Sequence, residues 1–368
     1  VHAFALPGPA YYNPRSYGGI GLPDHWVWLV SFVFIEDKFR TLFAMLFGAG
    51  CLILLERGGP KPWRAHYARM AVLFVIGLIH ATLLASNDVL RAYALAGLAL
   101  PLLTGLSARA LVVTALGFVL VHVAFGLTAF GGGLVDFHMQ QSDTDALRFA
   151  ERQFGRDPGV IAMLLEQGRE GLGDRVLRRS IGIPAQLTTL LASLPLNLSA
   201  IALGMGLWKG GMLKGRWRAF WLQRLAAGSA LLGLPALLGL AAWLEAEGFP
   251  AALVGPVALV ISAPFDMLLA VSYAALAMAF LTKDSGFTQR LAMVGRLSLT
   301  NYLMTSVILS AIFASWGLGL FGEVSRWQSF ALGLVPVAAM LAWSPPWVVH
   351  LGQGPFERLW RAGARLLA

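Results

Sequence analysis

Long apolar runs follow one another along almost the whole chain, among them AMLFGAGCLILL, AVLFVIGLIHATLLA, ALVVTALGFVLVHVAFGL and LLGLPALLGLAAWL. A bilayer's hydrocarbon core is about 30 Å thick, so a crossing helix takes about 20 mainly apolar residues. A helix on a soluble protein instead alternates an apolar stripe with a polar face. With 57% hydrophobic and 13% charged residues, the chain reads as an all-α polytopic bundle forming one transmembrane domain over residues 1–368. Such a chain handles lipids, ions or solutes that must cross.

Nine spans are expected, at roughly 39–56, 66–85, 89–105, 109–130, 182–207, 219–243, 263–281, 292–314 and 327–349. Basic residues crowd alternate gaps: Arg57, Lys61, Arg64 and Arg69; Arg109; Lys209 to Arg224; Lys283, Arg290 and Arg296; and the tail with Arg358, Arg361 and Arg365. That is 16 of the 28 Lys and Arg, against five (Arg15, Lys38, Arg40, Arg91 and Arg326) in the short segments opposite. The remaining seven lie in the 131–181 stretch, and long loops obey the positive-inside rule poorly. The rule therefore places the C-terminus in the cytoplasm and 131–181 outside. The net charge of +9 suits anionic lipid headgroups and is not read as nucleic-acid binding. Nine spans ending inside would begin outside; the chain opens with Val1, which fits either a lost preceding helix, giving ten, or a cleaved signal peptide.

Three segments are not plain spans. Residues 26–35, WVWLVSFVFI, are too short to cross and read as an interfacial or re-entrant helix with Trp26 and Trp28 at headgroup depth. The 131–181 stretch opens with Gly131-Gly132-Gly133 and holds amphipathic pieces near 143–154 and 159–179; it reads as a helical cap on the membrane surface or a lid over an outward cavity. Residues 249–262 read as a broken or tilted approach to the next span. The lone cysteine, Cys51, excludes an intramolecular disulfide.

Ionisable groups at membrane depth are costly and usually functional. His80 lies about one turn before its helix ends, and the turn at Ser86-Asn87-Asp88 reverses the chain, which sets His80 near the depth of Ala92 and Tyr93 with Asp88 just above. His80, Asp88 and Tyr93 so grouped could move a proton or orient a polar substrate. Equally, Asp88 could be an ordinary N-cap paired with Arg91, and His80 could bond a backbone carbonyl. His122 reads as a satisfied packing residue. In RLSLTNYLMTS, Asn301 and Tyr302, with Arg296 at the head of the segment, either bond between helices or line a polar cavity. His2, Asn13 and Asp266 complete the candidate substrate-binding set. No Walker-type loop, His-Glu-x-x-His, cysteine pair or Gly-x-Ser-x-Gly elbow occurs, which argues against an ATP-driven pump, a zinc protease and a serine esterase of those types; no metal or tightly bound cofactor is expected.

The ordered pieces VHAFALPGPAYYNPRSYGG, KFRTLFAMLFGAG, GLIHATLLASNDVLRAYALAGL, GMGLWKGGMLKG, SAPF, VGRLSLTNYLMTSVI and GPFERLWR resemble the YeiB-like family of bacterial inner-membrane proteins, a domain of unknown function, over nearly the whole chain. That family carries one more helix ahead of the first piece, so the resemblance implies ten helices. The chain is also distantly similar to transmembrane acyltransferases of the heparan-α-glucosaminide acetyltransferase kind, through its early helices and the Asp-Val-Leu at 88–90 followed by Tyr93. Those enzymes take an acyl group from cytoplasmic acyl-CoA and deliver it to an acceptor across the membrane. Where they carry a histidine after the first helix this chain has Asn13, so His2 or His80 would substitute. Three readings follow. The first is acyl transfer from acyl-CoA to a lipid, glycan or small-molecule acceptor. The others are a proton-coupled transporter or exporter, and a non-catalytic membrane scaffold.

Overall fold

The computed structural model describes residues 1–19, 21–57, 62–281 and 285–367; Lys61 and Lys283, counted above among the basic gaps, lie outside them. Short helices α1 (His2–Ala5) and α2 (Gly8–Tyr12) lead into α3 (Leu22–Val30), which continues through a wide π turn, Ser31–Ile35, toward α4 (Lys38–Glu56). Asp37 breaks the path with a left-handed backbone at φ 58°. Helix α5 (Pro62–Leu83) is followed by α6 (Val89–Leu98), the single turn α7 (Leu100–Leu103) and the long α8 (Ala108–His138). Three amphipathic helices come next: α9 (Asp145–Phe154), α10 (Pro158–Gly168) and α11 (Leu172–Ile181). Helices α12 (Ile183–Ala192) and α13 (Leu194–Lys209) meet at 49°, then α14 (Ala219–Ala246) and α15 (Ala251–Pro256) lead by a second π turn to α16 (Ala263–Phe280). Helices α17 (Gly286–Arg296) and α18 (Ser298–Phe313) meet at 79°; α19 (Arg326–Leu332), α20 (Leu334–Leu351) and the amphipathic α21 (Pro355–Leu367) end the chain.

The described residues are all-helical, and six helices are long and apolar enough to cross a membrane, or up to eight if each bent pair counts as one. The expected span 89–105 is divided: ten-residue α6 rises only about 15 Å before Pro101 starts a separate turn. Outward-facing Leu120 and Leu231 are 69% and 74% exposed, the inside-out pattern of a bundle solvated by lipid.

The bundle's centre is formed by α4, α6, α8, α13 and α16. Helices α4 and α13 touch backbone to backbone: a Cβ on Gly48 would stand 2.4 Å from the Ile201 carbonyl oxygen, and small residues allow such approaches where no hydrophobic force separates helix from lipid. One helix runs further than its apolar pattern suggests. Gly131-Gly132-Gly133 does not end it; α8 runs on through the glycines to His138, with Ala146 of α9 in ordinary contact distance of Gly132. Trp28 is buried, 1% exposed and edge-on to Phe249 at 4.8 Å, while Trp26 is exposed.

Two of the basic segments are tied to neighbouring elements. Lys209 Nζ bonds the Thr104 and Leu106 carbonyls at 2.5 and 2.8 Å, and Trp360 Nε1 bonds the Arg69 carbonyl at 2.8 Å, docking α21 on α5. Elsewhere, α1, α2, α10, α11 and the turn after α5 surround a half-open cavity of about 590 Å³.

Candidate functional site

Helix α5 ends one turn beyond His80, and the tight turn at 84–87 returns the chain so that Asp88 becomes the N-cap of α6. Asp88 Oδ1 accepts from the Arg91 backbone N–H at 2.9 Å, as an N-cap should. Its other oxygen accepts from His80 Nδ1 at 2.7 Å and from the Tyr302 hydroxyl of α18 at 3.1 Å. The His80 and Asp88 side chains are 1% and 0% exposed. Gly77 permits this: a Cβ there would lie 2.6 Å from Asp88 Oδ1 and 2.9 Å from the Arg91 nitrogen.

With His80 Nδ1 donating to the Asp88 carboxylate, Nε2 is the ring nitrogen left to meet a substrate. Nε2 is buried and has no hydrogen-bond partner among the described residues. Carboxylate and imidazole so arranged form a base whose accepting nitrogen is unspent.

Arg91 ties this pair to its surroundings. Nη2 donates to the Ser86 carbonyl at 2.7 Å and Nη1 to Gln186 Oε1 of α12 at 2.9 Å, while Nε stands 3.8 Å from Asp88 Oδ1, an ion pair rather than a hydrogen bond. Ser86, Asn87 and Gln186 also line the 590 Å³ cavity, so the cavity borders the segment that carries Asp88.

The other candidates are placed elsewhere. Tyr93 does not join His80: its hydroxyl bonds the Arg40 carbonyl at 2.9 Å and its ring stacks on Phe47, and Tyr302 takes the position expected of it. Asn301, next to Tyr302, turns to α20, donating to Ser344 Oγ at 3.2 Å and to the Val294 carbonyl at 2.9 Å. Arg296 is exposed at the α17–α18 bend. Asn13 is spent as a clamp, with Nδ2 on the Phe154 and Phe249 carbonyls at 2.8 and 3.1 Å. His2 packs by Phe330, and burial, with the Arg326 guanidinium close by, pushes it down to about 3. His122 bonds the Leu259 carbonyl through Nε2 at 2.9 Å.

Asp266 anchors a second buried charge pair. Lys38 Nζ lies 2.6 Å from its Oδ1, and Ser262 donates to Oδ2 at 2.8 Å. Lys38 also bonds the Phe32 carbonyl inside the π turn and is 1% exposed. In the sequence Lys38 stands in the run Glu36 to Arg40, which looks like an interfacial charge cluster; only the π turn and the left-handed Asp37 direct it inward. Among the described residues, no group of three or more metal-type ligands is present.

A lipid-solvated helical bundle with a buried His–Asp pair near a half-open cavity of mixed lining is the class that fold and site define. The chain is 32% identical over 370 residues to "Uncharacterized protein YeiB" of Escherichia coli (strain K12), spanning 98% of this chain and 90% of that protein. It is 29% identical over 347 residues to "Uncharacterized protein YxaH" of Bacillus subtilis (strain 168), 90% and 80% of the respective chains. The family described as "Protein of unknown function (DUF418)" matches residues 207–366. The chain belongs to this YeiB-like DUF418 family. No solved structure matches it.

Proposed function

We propose that this membrane protein transfers an acyl group to a hydroxyl or amine acceptor, with His80 as general base. The observation that carries the reading is the unpartnered Nε2 of a histidine whose other nitrogen is held at 2.7 Å by a buried carboxylate. Acyl-CoA is the expected donor and a lipid, glycan or small molecule the acceptor. The acceptor approaches from the cavity past the 84–87 turn. Nε2 takes the acceptor's proton as its oxygen or nitrogen bonds to the thioester carbonyl carbon. The carbon–sulfur bond then breaks, and the departing thiolate recovers the proton from Nε2. Asp88 keeps the ring oriented and offsets the charge of the imidazolium. The proposed topology has nine spans, with α6 and α7 together making one, in a bacterial inner membrane; the C-terminus is cytoplasmic and 131–181 lies outside.

General-base loss costs about 10²–10⁴-fold in rate. His80→Gln keeps size and a hydrogen bond but cannot take the proton, so it should insert normally and lose at least about a hundredfold in a reconstituted acyl-CoA transfer assay. Full activity in His80→Gln would leave the histidine a structural role. Proton-coupled transport is the second reading, favoured by two ionisable pairs buried in membrane-crossing helices, His80–Asp88 and Lys38–Asp266. Proton flux with solute, and no transfer by the wild-type protein, would select it. A scaffold would show neither.

A further inference from the structure

The cavity's chemistry is divided. One wall is apolar, with Phe4, Leu84 and Phe313; the other carries Arg175, Arg178 and Arg179 of α11. The spacing i, i+3, i+4 puts all three guanidiniums on one face of that helix.

They are unequally satisfied. Arg178 is spent on Glu170, at 2.8 Å. Arg175 is 6% exposed and donates to the Gly168 carbonyl at 3.0 Å, and Arg179 makes only long contacts, 3.4 and 3.5 Å, with the Ala81 and Thr82 carbonyls at the end of α5. Among the described residues neither has a carboxylate within 4.0 Å. Burial, aggravated by Arg175 and Arg178, pushes Arg179 down to about 10. Tyr11 and Tyr12 also line the cavity, and their hydroxyls make no hydrogen bond among the described residues. Burial and nearby Glu36 hold Tyr11 above its ordinary range, so it remains a donor.

Crowded guanidiniums favour an anion with several acceptor oxygens. The apolar wall favours a hydrocarbon chain beside it. We propose that this cavity binds a phosphate-bearing anionic amphiphile, its phosphate held by Arg175 and Arg179 and its chain against Phe4, Leu84 and Phe313. The inference deepens the acyl-transfer reading by naming the acceptor's class and rests on that reading only for the role of acceptor; binding is measured separately.

The test uses the full chain in detergent and in nanodiscs. Probes are phosphatidylglycerol, phosphatidylcholine and inorganic pyrophosphate, with retention read by native mass spectrometry and affinity by titration. Phosphatidylglycerol should bind at least about tenfold more tightly than phosphatidylcholine. Loss of a charged hydrogen-bond donor in Arg179→Gln should weaken it by about ten- to a hundredfold. Arg179→Lys should retain most of the affinity, and Arg148→Gln, on exposed α9 away from the cavity, should change nothing. Arg175→Gln, at the second guanidinium, should weaken binding in the same direction. Displacement by pyrophosphate would show that the phosphate suffices; binding of the lipid alone would show that the chain is required, and either supports the proposal. Equal affinity for the two lipids, or wild-type affinity in both Arg179→Gln and Arg175→Gln, would overturn it. Intact phosphatidylglycerol binding in a protein that transfers no acyl group would sink the catalytic reading and leave this one standing.

Discussion

Asp88 and Glu357 are both buried carboxylates, and both hold α18, at positions only two residues apart. Glu357 Oε1 accepts from the Leu299 and Thr300 backbone N–H groups at 2.8 and 3.0 Å, and Oε2 accepts from the Thr300 hydroxyl. It caps a helix whose first turn would otherwise leave buried donors unpaired, and no ionisable side chain is engaged. Asp88 also caps a helix and accepts from α18 through Tyr302, but its strongest contact is an imidazole with a nitrogen to spare. Both carboxylates are buried within the bundle. What differs is whether the surrounding hydrogen-bond capacity is used up, and that separates an anchor from the proposed reaction centre.

The anchor should fail by unfolding. Glu357→Ala orphans the Leu299 and Thr300 donors and should cost about 2–3 kcal/mol, read as a lowered unfolding midpoint in detergent. An unchanged midpoint would remove the contrast. A smaller loss tests the Asp88 side without touching a polar group. Gly77→Ala forces a methyl toward Asp88 and the Arg91 backbone, and overpacking of this kind costs about 1–3 kcal/mol. It should disturb transfer more than Ala substitution at Gly117, which has open space around it. The smallest effect concerns His2. Its folded value, about 3, lies below its ordinary 6.5, so between these pH values the unfolded segment binds a proton that the folded one does not. Stability from this group is therefore complete above about pH 6.5 and falls as pH drops toward 3. Once the slower intrinsic exchange of amides at lower pH is divided out, protection in the α1–α2 segment should fall between pH 7 and pH 5 in the wild type and less in His2→Asn; equal falls would deny the histidine that role.

The sequence carried the bundle, and the meeting of His80 with Asp88, because both depend on local patterns: apolar run lengths and a short reversing turn. It misplaced the tyrosine because Tyr93 is near in sequence while Tyr302, over two hundred residues away, arrives only through the docking of α18 on α5 and α6. Triple glycine read as a break since isolated glycines weaken helices, yet α8 continues through it to His138. Lys38 was hidden for the converse reason: nothing in Glu36-Asp37-Lys38 announces a π turn that sends one charge inward. The arginines of α11 stood at helical spacing in the sequence, yet they counted only as loop charge until the fold closed a cavity around them.

The most direct measurement compares Asp88→Asn with Glu357→Ala in one reconstituted preparation, recording acyl transfer per folded molecule. The amide introduced by Asp88→Asn can offer the imidazole either a donor or an acceptor, so it no longer fixes the His80 tautomer. Transfer should then fall by at least about a hundredfold, whereas Glu357→Ala should stay within about twofold once its unfolded fraction is discounted. Equal losses per folded molecule, or wild-type transfer in Asp88→Asn, would contradict the assignment of the reaction centre to the His80–Asp88 pair.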